Sequence, residues 1–350
     1  MKKNTPDGVK KIALLAGVSI GTVDRVLHNR GRVSLATQQK VNEIIKQINY
    51  KPNILARSLA TSKKRTVAIL IPEPKEDAYW EQVYDGAMDS LAKCEQFSIL
   101  IKMYFFNNRN SFDAAAGEIL KSRPDGLIMA PIFLEEGMSL FNECNSASIP
   151  VIMFNTSIPF TQPLSFIGTD SFQSGMAAAE LLNLTASDKG IFAILHFDEE
   201  LKNAPHMLEK ERGFLTYLKK ECKGREYISV TMNNQRQYYY SQIQRMFEQN
   251  QISGIFVSTS KAHRIGSYLQ KENIKGVRLV GYDLVPKNID LMKAGIIDFL
   301  INQNPKRQVQ QSINSVRNYL LYKENIDQKK LFPIEIIIKS NLSTYLDPEI

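Results

Sequence analysis

Residues 9–27 read Val9-Lys10-Lys11-Ile12-Ala13-Leu14-Leu15-Ala16-Gly17-Val18-Ser19-Ile20-Gly21-Thr22-Val23-Asp24-Arg25-Val26-Leu27. Val9, Ile12, Ala13 and Ala16 recur at the spacing of one helical face. Gly17 can take the left-handed conformation that ends a helix, and Ser19 can cap the next one. In that second helix Val23, Val26 and Leu27 are placed to pack inward. Two short helices joined by a glycine-containing turn form a helix-turn-helix, whose second helix lies in the DNA major groove. A third helix is expected from Ser34 to Asn49, capped by Ser34, with Val41, Ile44, Ile45 and Ile48 as its apolar face. The pattern alone also fits a small three-helix bundle of another kind.

Charge narrows the choice. Residues 1–66 hold fourteen Lys or Arg against three acids (Asp7, Asp24, Glu43), a net of +11 in a chain of net +8. The remaining residues therefore carry a net of −3. Clustered bases displace counterions from a polyanion, so the first segment reads as a nucleic-acid module. The alternative is a basic tail that only aids solubility. The whole chain has 350 residues and is 43% hydrophobic, enough for two or three compact units. No apolar run reaches the ~20 residues that span a bilayer. The basic N-terminus lacks the apolar stretch of a signal peptide, so a cytoplasmic location is expected. Cys94, Cys144 and Cys222 are too widely spaced for a disulfide framework or a metal cluster and read as ordinary, partly buried thiols.

The segment Ala16-Gly17-Val18-Ser19-x-x-Thr22-Val23-x-Arg25-Val26-Leu27, followed by Val33-Ser34, Lys40-Val41 and Asn49-Tyr50-x-Pro52-Asn53-x-x-Ala56-x-x-Leu59-Ala60, closely resembles the lac-repressor (LacI/GalR) family of transcription regulators. The resemblance makes the second helix the recognition helix. It sets the hydroxyls of Ser19 and Thr22 against phosphates and Ile20, Gly21 and Arg25 towards base edges. His28, Ser34, Asn53 and Leu59 complete the implied DNA-binding set. An Arg–guanine pair is the commonest specific contact. Asp24 stands where the family usually has Ser, and His28 where it usually has Asn. Asp24 could repel phosphate, orient Arg25 or accept from a cytosine amine. Residues 53–60 match the family's hinge helix, too short to be stable alone in water. Leu59 matches the side chain that wedges into the minor groove and bends the operator.

From Thr66 onward the pattern changes to buried strands alternating with helices. Strands are expected at Val67–Ile71, Ser98–Tyr104, Gly126–Ala130 and Val151–Phe154, then at Ile191–His196, Tyr227–Met232, Gly254–Ser258 and Val277–Gly281, with helices between them. Such alternation argues for parallel sheets with right-handed crossovers. The fold class is therefore α/β: a small all-α headpiece followed by two doubly wound lobes. Ligands bind such sheets at the carboxyl ends of their strands.

This half resembles the sugar-binding periplasmic-receptor fold, type I. The matching residues include Asp85-Gly86-Ala87, Pro124-Asp125-Gly126-Leu127-Ile128, Ile167-Gly168-Thr169-Asp170, Gly175, Gly213-Phe214, Val280-Gly281-Tyr282-Asp283 and Ile301-x-Gln303-x-Pro305. The implied division is 1–52 for the DNA-binding domain, 53–65 for hinge and linker, and 66–350 for an effector-binding and dimerisation domain. Its first lobe would be about 66–168 with 299–325, and its second about 169–298 with 326–345. The resemblance also implies a cleft. Tyr79 and Trp80 match its aromatic pair, Asp77 the polar residue before them, Asp283 a hydroxyl-binding carboxylate and Gln303 a cleft amide. Asn155 replaces an Asp, Lys210 aligns with an Arg, and Thr259-Ser260 replaces Asn-Asp. A ring can stack on the apolar face of a pyranose while carboxylates and amides fix its hydroxyls.

The expected function is a homodimeric DNA-binding regulator, acting as a repressor on a pseudo-palindromic operator and controlled by a sugar-like effector. The alternative is a sugar receptor without a gene-regulatory role. A third possibility, an enzyme on the same fold, lacks a nucleophile elbow, a phosphate-cradling glycine loop or metal-spaced His and Cys. No cofactor is expected.

Overall fold

The computed structural model describes residues 8–27, 31, 33–48, 64–197, 203–233 and 235–346. Two compact units result, the second opening at Arg65.

In the first unit, helices α1 (Val9–Ala16), α2 (Ile20–Leu27) and α3 (Leu35–Gln47) enclose a core of Ile12, Ala13, Ala16, Val23, Val26, Val41 and Ile44. Gly17 ends α1 at φ 64°, a conformation open to glycine without strain. Ser19 Oγ accepts from the Thr22 amide at 3.1 Å and lies 2.9 Å from Thr22 Oγ1. Ser34 caps α3 by accepting from the Thr37 amide at 3.3 Å. Both hydroxyls supply acceptors that the first turn of a helix lacks.

The second unit contains two six-stranded sheets. Strands β1 (Arg65–Pro72), β2 (Ile99–Phe106), β3 (Gly126–Met129), β4 (Val151–Phe154) and β5 (Ser165–Thr169) belong to the first lobe. Strands β6 (Ile191–Phe197), β7 (Tyr227–Met232), β8 (Ile252–Val257), β9 (Arg278–Tyr282) and β10 (Phe299–Asn302) belong to the second. The last two, β11 (Lys329–Phe332) and β12 (Glu335–Ile337), go one to each lobe. The orders are β11-β5-β4-β3-β1-β2 and β12-β10-β9-β8-β6-β7, parallel except for β12 against β10. The helices used below are α4 (Ala78–Glu95), α5 (Arg109–Ser122), α6 (Leu134–Ser146), α7 (Ser171–Thr185), α8 (Pro205–Glu221), α9 (Arg236–Gln249), α10 (Ala262–Lys271), α11 (Pro286–Lys293) and α12 (Pro305–Tyr322). Every residue of β3, β4, β5 and β8 is buried, as expected of strands covered on both faces.

Two segments sit in the opposite lobe from the one expected. Phe299–Asn302 was expected in the first lobe, but it extends the second sheet, pairing Phe299 with Val280 and Ile301 with Tyr282. Residues 329–332 were expected in the second lobe, but they close the edge of the first sheet, pairing Lys329 with Phe166 and Phe332 with Thr169. Leu300 and Ile301 are buried in the second lobe's cores, which holds β10 there. The Ser165 hydroxyl donates to Asp327 O at 2.8 Å and guides β11 onto β5. The chain thus crosses between lobes at 170, at 303–304 and at 333–334, and α12 returns to pack on α4. No described helix is long and apolar enough to cross a membrane.

Candidate functional site

The cleft between the lobes is built at strand ends. Five of its positions lie in the loops directly after β1, β4, β8, β9 and β10, and Lys210 reaches in from α8. In the first lobe Asp77 precedes α4, and its Oδ1 accepts from the Tyr79 amide at 2.9 Å. Tyr79 and Trp80 then meet edge to face, with ring centroids 4.9 Å apart. Asn155 follows β4 at φ 63°, a left-handed conformation that Asn tolerates better than most residues. Its Nδ2 donates to the Tyr79 hydroxyl at 2.6 Å, and its backbone amide donates to Gln308 Oε1 at 3.0 Å. Burial pushes the Tyr79 phenol well up from its ordinary value, with Asp283 adding to the effect.

In the second lobe Asp283 follows β9 at φ 66° and is fully buried. Both of its oxygens are engaged: Gln303 donates its backbone amide to Oδ1 at 3.0 Å and its Nε2 to Oδ2 at 2.7 Å. Burial raises the carboxyl to about 6, against the opposing pull of Lys210 and the Gln303 donors. Lys210 is 2% exposed. Its Nζ donates to Ser258 O at 3.0 Å and lies 3.7 Å above the Tyr282 ring. An ammonium at that distance is stabilised by the ring face, which helps to offset its desolvation.

All eight residues expected in the cleft (Asp77, Tyr79, Trp80, Asn155, Lys210, Thr259, Asp283 and Gln303) line one cavity of about 60 Å³. Ile132, Phe197, His206, Ser258, Ser260 and Lys261 complete its wall. The sequence reading missed His206 and Lys261. His206 lies one helical turn before Lys210 on α8, so the i, i+4 rule points to it once Lys210 is chosen. Burial, Lys210 and His196 drive His206 down to about 3, so it is neutral at physiological pH. Burial brings Lys261 down to about 8 although Asp77, 3.8 Å away, opposes the shift. Two larger pockets share part of the cavity wall. One, of about 350 Å³, shares Asn155 and His206; the other, of about 580 Å³, shares Asp77, Ser260 and Lys261. The lobes touch across the cleft: Gln82 Nε2 donates to Leu284 O at 3.1 Å, and Ser260 Oγ donates to Asp77 Oδ1 at 3.4 Å.

A buried carboxylate (Asp283), a half-buried one (Asp77), two amides, two ammonium groups and an aromatic pair suit a compact ligand with many hydroxyls. Among the described residues no group of three His, Cys, Asp or Glu could hold a metal ion.

In the helical unit, Val23 and Val26 turn one side of α2 inward, while Ile20, Gly21, Asp24 and Arg25 are exposed on the other. Ser19, Thr22 and Ser34 are at helix starts, their hydroxyls already engaged locally. His28, Asn53 and Leu59, with the expected hinge helix 53–60, lie outside the described residues.

Comparison with known proteins agrees with this architecture. Residues 67–324 match the model of the periplasmic binding protein domain, and residues 9–53 match bacterial regulatory proteins of the lacI family. Catabolite control protein A of Staphylococcus aureus is 29% identical over 203 residues, which span 55% of this chain and 60% of that protein. A solved structure described as a candidate LacI transcriptional regulator from Bacteroides fragilis is 26% identical, with a TM-score of 0.75 over 81% of this chain and all of that one. The glucose-galactose binding protein GanP of Geobacillus stearothermophilus shares the fold at 18% identity, with a TM-score of 0.70 over 80% of this chain and 99% of its own. The chain belongs to the periplasmic binding protein domain family and carries ahead of that domain the helix-turn-helix of the lacI family of bacterial regulatory proteins.

Proposed function

We propose that this chain is a cytoplasmic, homodimeric transcription regulator that represses from a pseudo-palindromic operator and is controlled by a small sugar-like effector held between its lobes. One observation carries the reading. A basic helix-turn-helix unit precedes, in the same chain, a cleft in which side chains from both lobes converge on one buried polar cavity. Arg25 is the base-reading side chain, with Ser19, Thr22 and Ser34 near phosphates and Ile20 and Gly21 against base edges. In the cleft Trp80 stacks on the sugar ring, Asp77, Asp283, Asn155 and Gln303 take its hydroxyls, and Lys210 and Thr259 complete the shell. A ligand that favours the closed lobes shifts the dimer between two arrangements, and operator affinity changes by the difference in its affinity for them. On this reading the chain binds and releases its ligand without transforming it. The relatives called catabolite control protein A and the LacI-type structural neighbour support the regulatory role over a receptor role.

The test selects an operator from random duplexes with the full chain. Its affinity is then measured by anisotropy across monosaccharides, disaccharides, hexuronates and sugar phosphates. At least one compound should change operator affinity and shift the fluorescence of Trp80, the sole tryptophan. In Asp283→Ala the ligand's hydroxyls lose their acceptor, so the response should vanish while operator binding persists. A folded Asp283→Ala protein that responds normally would remove Asp283 from the site.

A further inference from the structure

Helix α6 starts without a cap of its own. Its N-cap is Phe133, whose side chain makes no capping bond. The first amides of a helix have no partner within it, and leaving one buried and unbonded is costly. Here the partner comes from the other lobe. The Glu135 amide donates to Asn203 Oδ1 at 3.1 Å, and Asn203 Nδ2 donates to Glu136 Oε2 at 3.2 Å. The two bonds fix which way the Asn203 amide points, since the flipped form would set donor against donor. Glu136 is itself held from α5, with Arg109 Nε 3.5 Å from its Oε1. Asn203 thus supplies the acceptor for one free amide of the first turn and is held in place by the Glu136 side chain, so this cap is complete only when the lobes meet.

Asn203 is 6% exposed and stands two residues ahead of α8, the helix that brings His206 and Lys210 into the cavity. It does not line that cavity. We propose that Asn203 is a positioning residue for the ligand response: a latch that caps α6 across the cleft and sets the fraction of ligand-free protein with closed lobes. The apparent affinity for a ligand scales with that fraction, so the latch tunes sensitivity without touching the ligand. The role rests on the proposed closure around a ligand, but the latch is testable with none present.

The experiment uses the full-length, ligand-free protein. Amide exchange at Glu135 should speed up ~3- to ~10-fold in Asn203→Ala, the scale of one lost hydrogen bond. Amides in the interior of α6, from Leu140 to Cys144, should keep their wild-type rates. Small-angle scattering should show a more extended Asn203→Ala protein. Glu136→Gln, which can keep its acceptor oxygen on Asn203 and loses only the pairing with Arg109, should lie closer to the wild type than Asn203→Ala in both measurements. Unchanged exchange at Glu135, faster exchange along all of α6, or superposable scattering curves for wild type and Asn203→Ala would each overturn the latch. Failure of every sugar to act would instead count against the effector reading and leave these outcomes in place.

Discussion

Asp283 shows what a candidate binding residue costs a fold. It is fully buried, left-handed in its backbone, and its carboxyl is raised to about 6. Burial is the main cause, with Lys210 and two Gln303 donors opposing it. A raised folded-state value means that the protonated form is favoured by folding. Its contribution is fully present below the ordinary value of 3.8 and is lost as pH rises through about 6. Asn at this position removes the titration and suits φ > 0. The stability of Asp283→Asn relative to wild type, measured by ligand-free unfolding, should therefore improve from pH 4 to pH 8, by on the order of 2 kcal/mol. The attraction of Lys210 for the ionised carboxylate is already contained in the value of about 6, so it adds no further slope. A difference that stays flat with pH would mean that Lys210 and Gln303 fully offset the burial of the charge. The position of Asp283 was legible through the resemblance to the periplasmic-receptor fold, which places a carboxylate at the end of this strand. Its clamp by Gln303 was not, because the two residues are brought together only by the β9–β10 pairing.

At the scale of the element, the seating of Lys210 depends on two glycines. Helices α7 and α8 pack so closely that a Cβ on Gly175 would run into the Lys210 carbonyl oxygen, and one on Gly213 into that of Phe172. The obstacle is backbone in both cases, so rotamer changes cannot relieve it. Gly213→Ala should destabilise the protein by about 3 kcal/mol or more in urea unfolding, the upper range for forced core repacking. The pushed-apart helices should also weaken the ligand response, because α8 carries both Lys210 and His206. A loss below ~1 kcal/mol would show that the pair can slide apart freely. The helices themselves were legible from their apolar period. The edge strand β11 was not: it reads Lys-Lys-Leu-Phe, with no apolar alternation to announce a strand.

For the molecule as a whole, charge and cores are separately distributed. The first 66 residues are net +11 and the rest net −3. The second unit begins at Arg65 and has its own hydrophobic clusters in each lobe. Deleting residues 1–65 should abolish operator binding and leave a folded, ligand-binding protein, as read by anisotropy and by Trp80 fluorescence. Specific operator binding by the truncated chain would refute the division of labour. The intact protein should lose affinity steeply with salt, since several phosphates are neutralised in each half-site.

Local sequence was enough to determine the helix-turn-helix and the alternation of strands and helices, while the cleft positions came from the resemblance to the periplasmic-receptor fold. The helices and strands rest on hydrophobic period, caps and turn residues, whose range is a few residues. The tertiary structure alone decided which lobe receives β10 and β11, how the lobes meet, and that Asn203 caps a helix 68 residues away in sequence. Strand partners and cross-lobe bonds are chosen by packing between distant segments. The same four-residue strand could extend either sheet, and only the burial of Leu300 and Ile301 in the second lobe selects one.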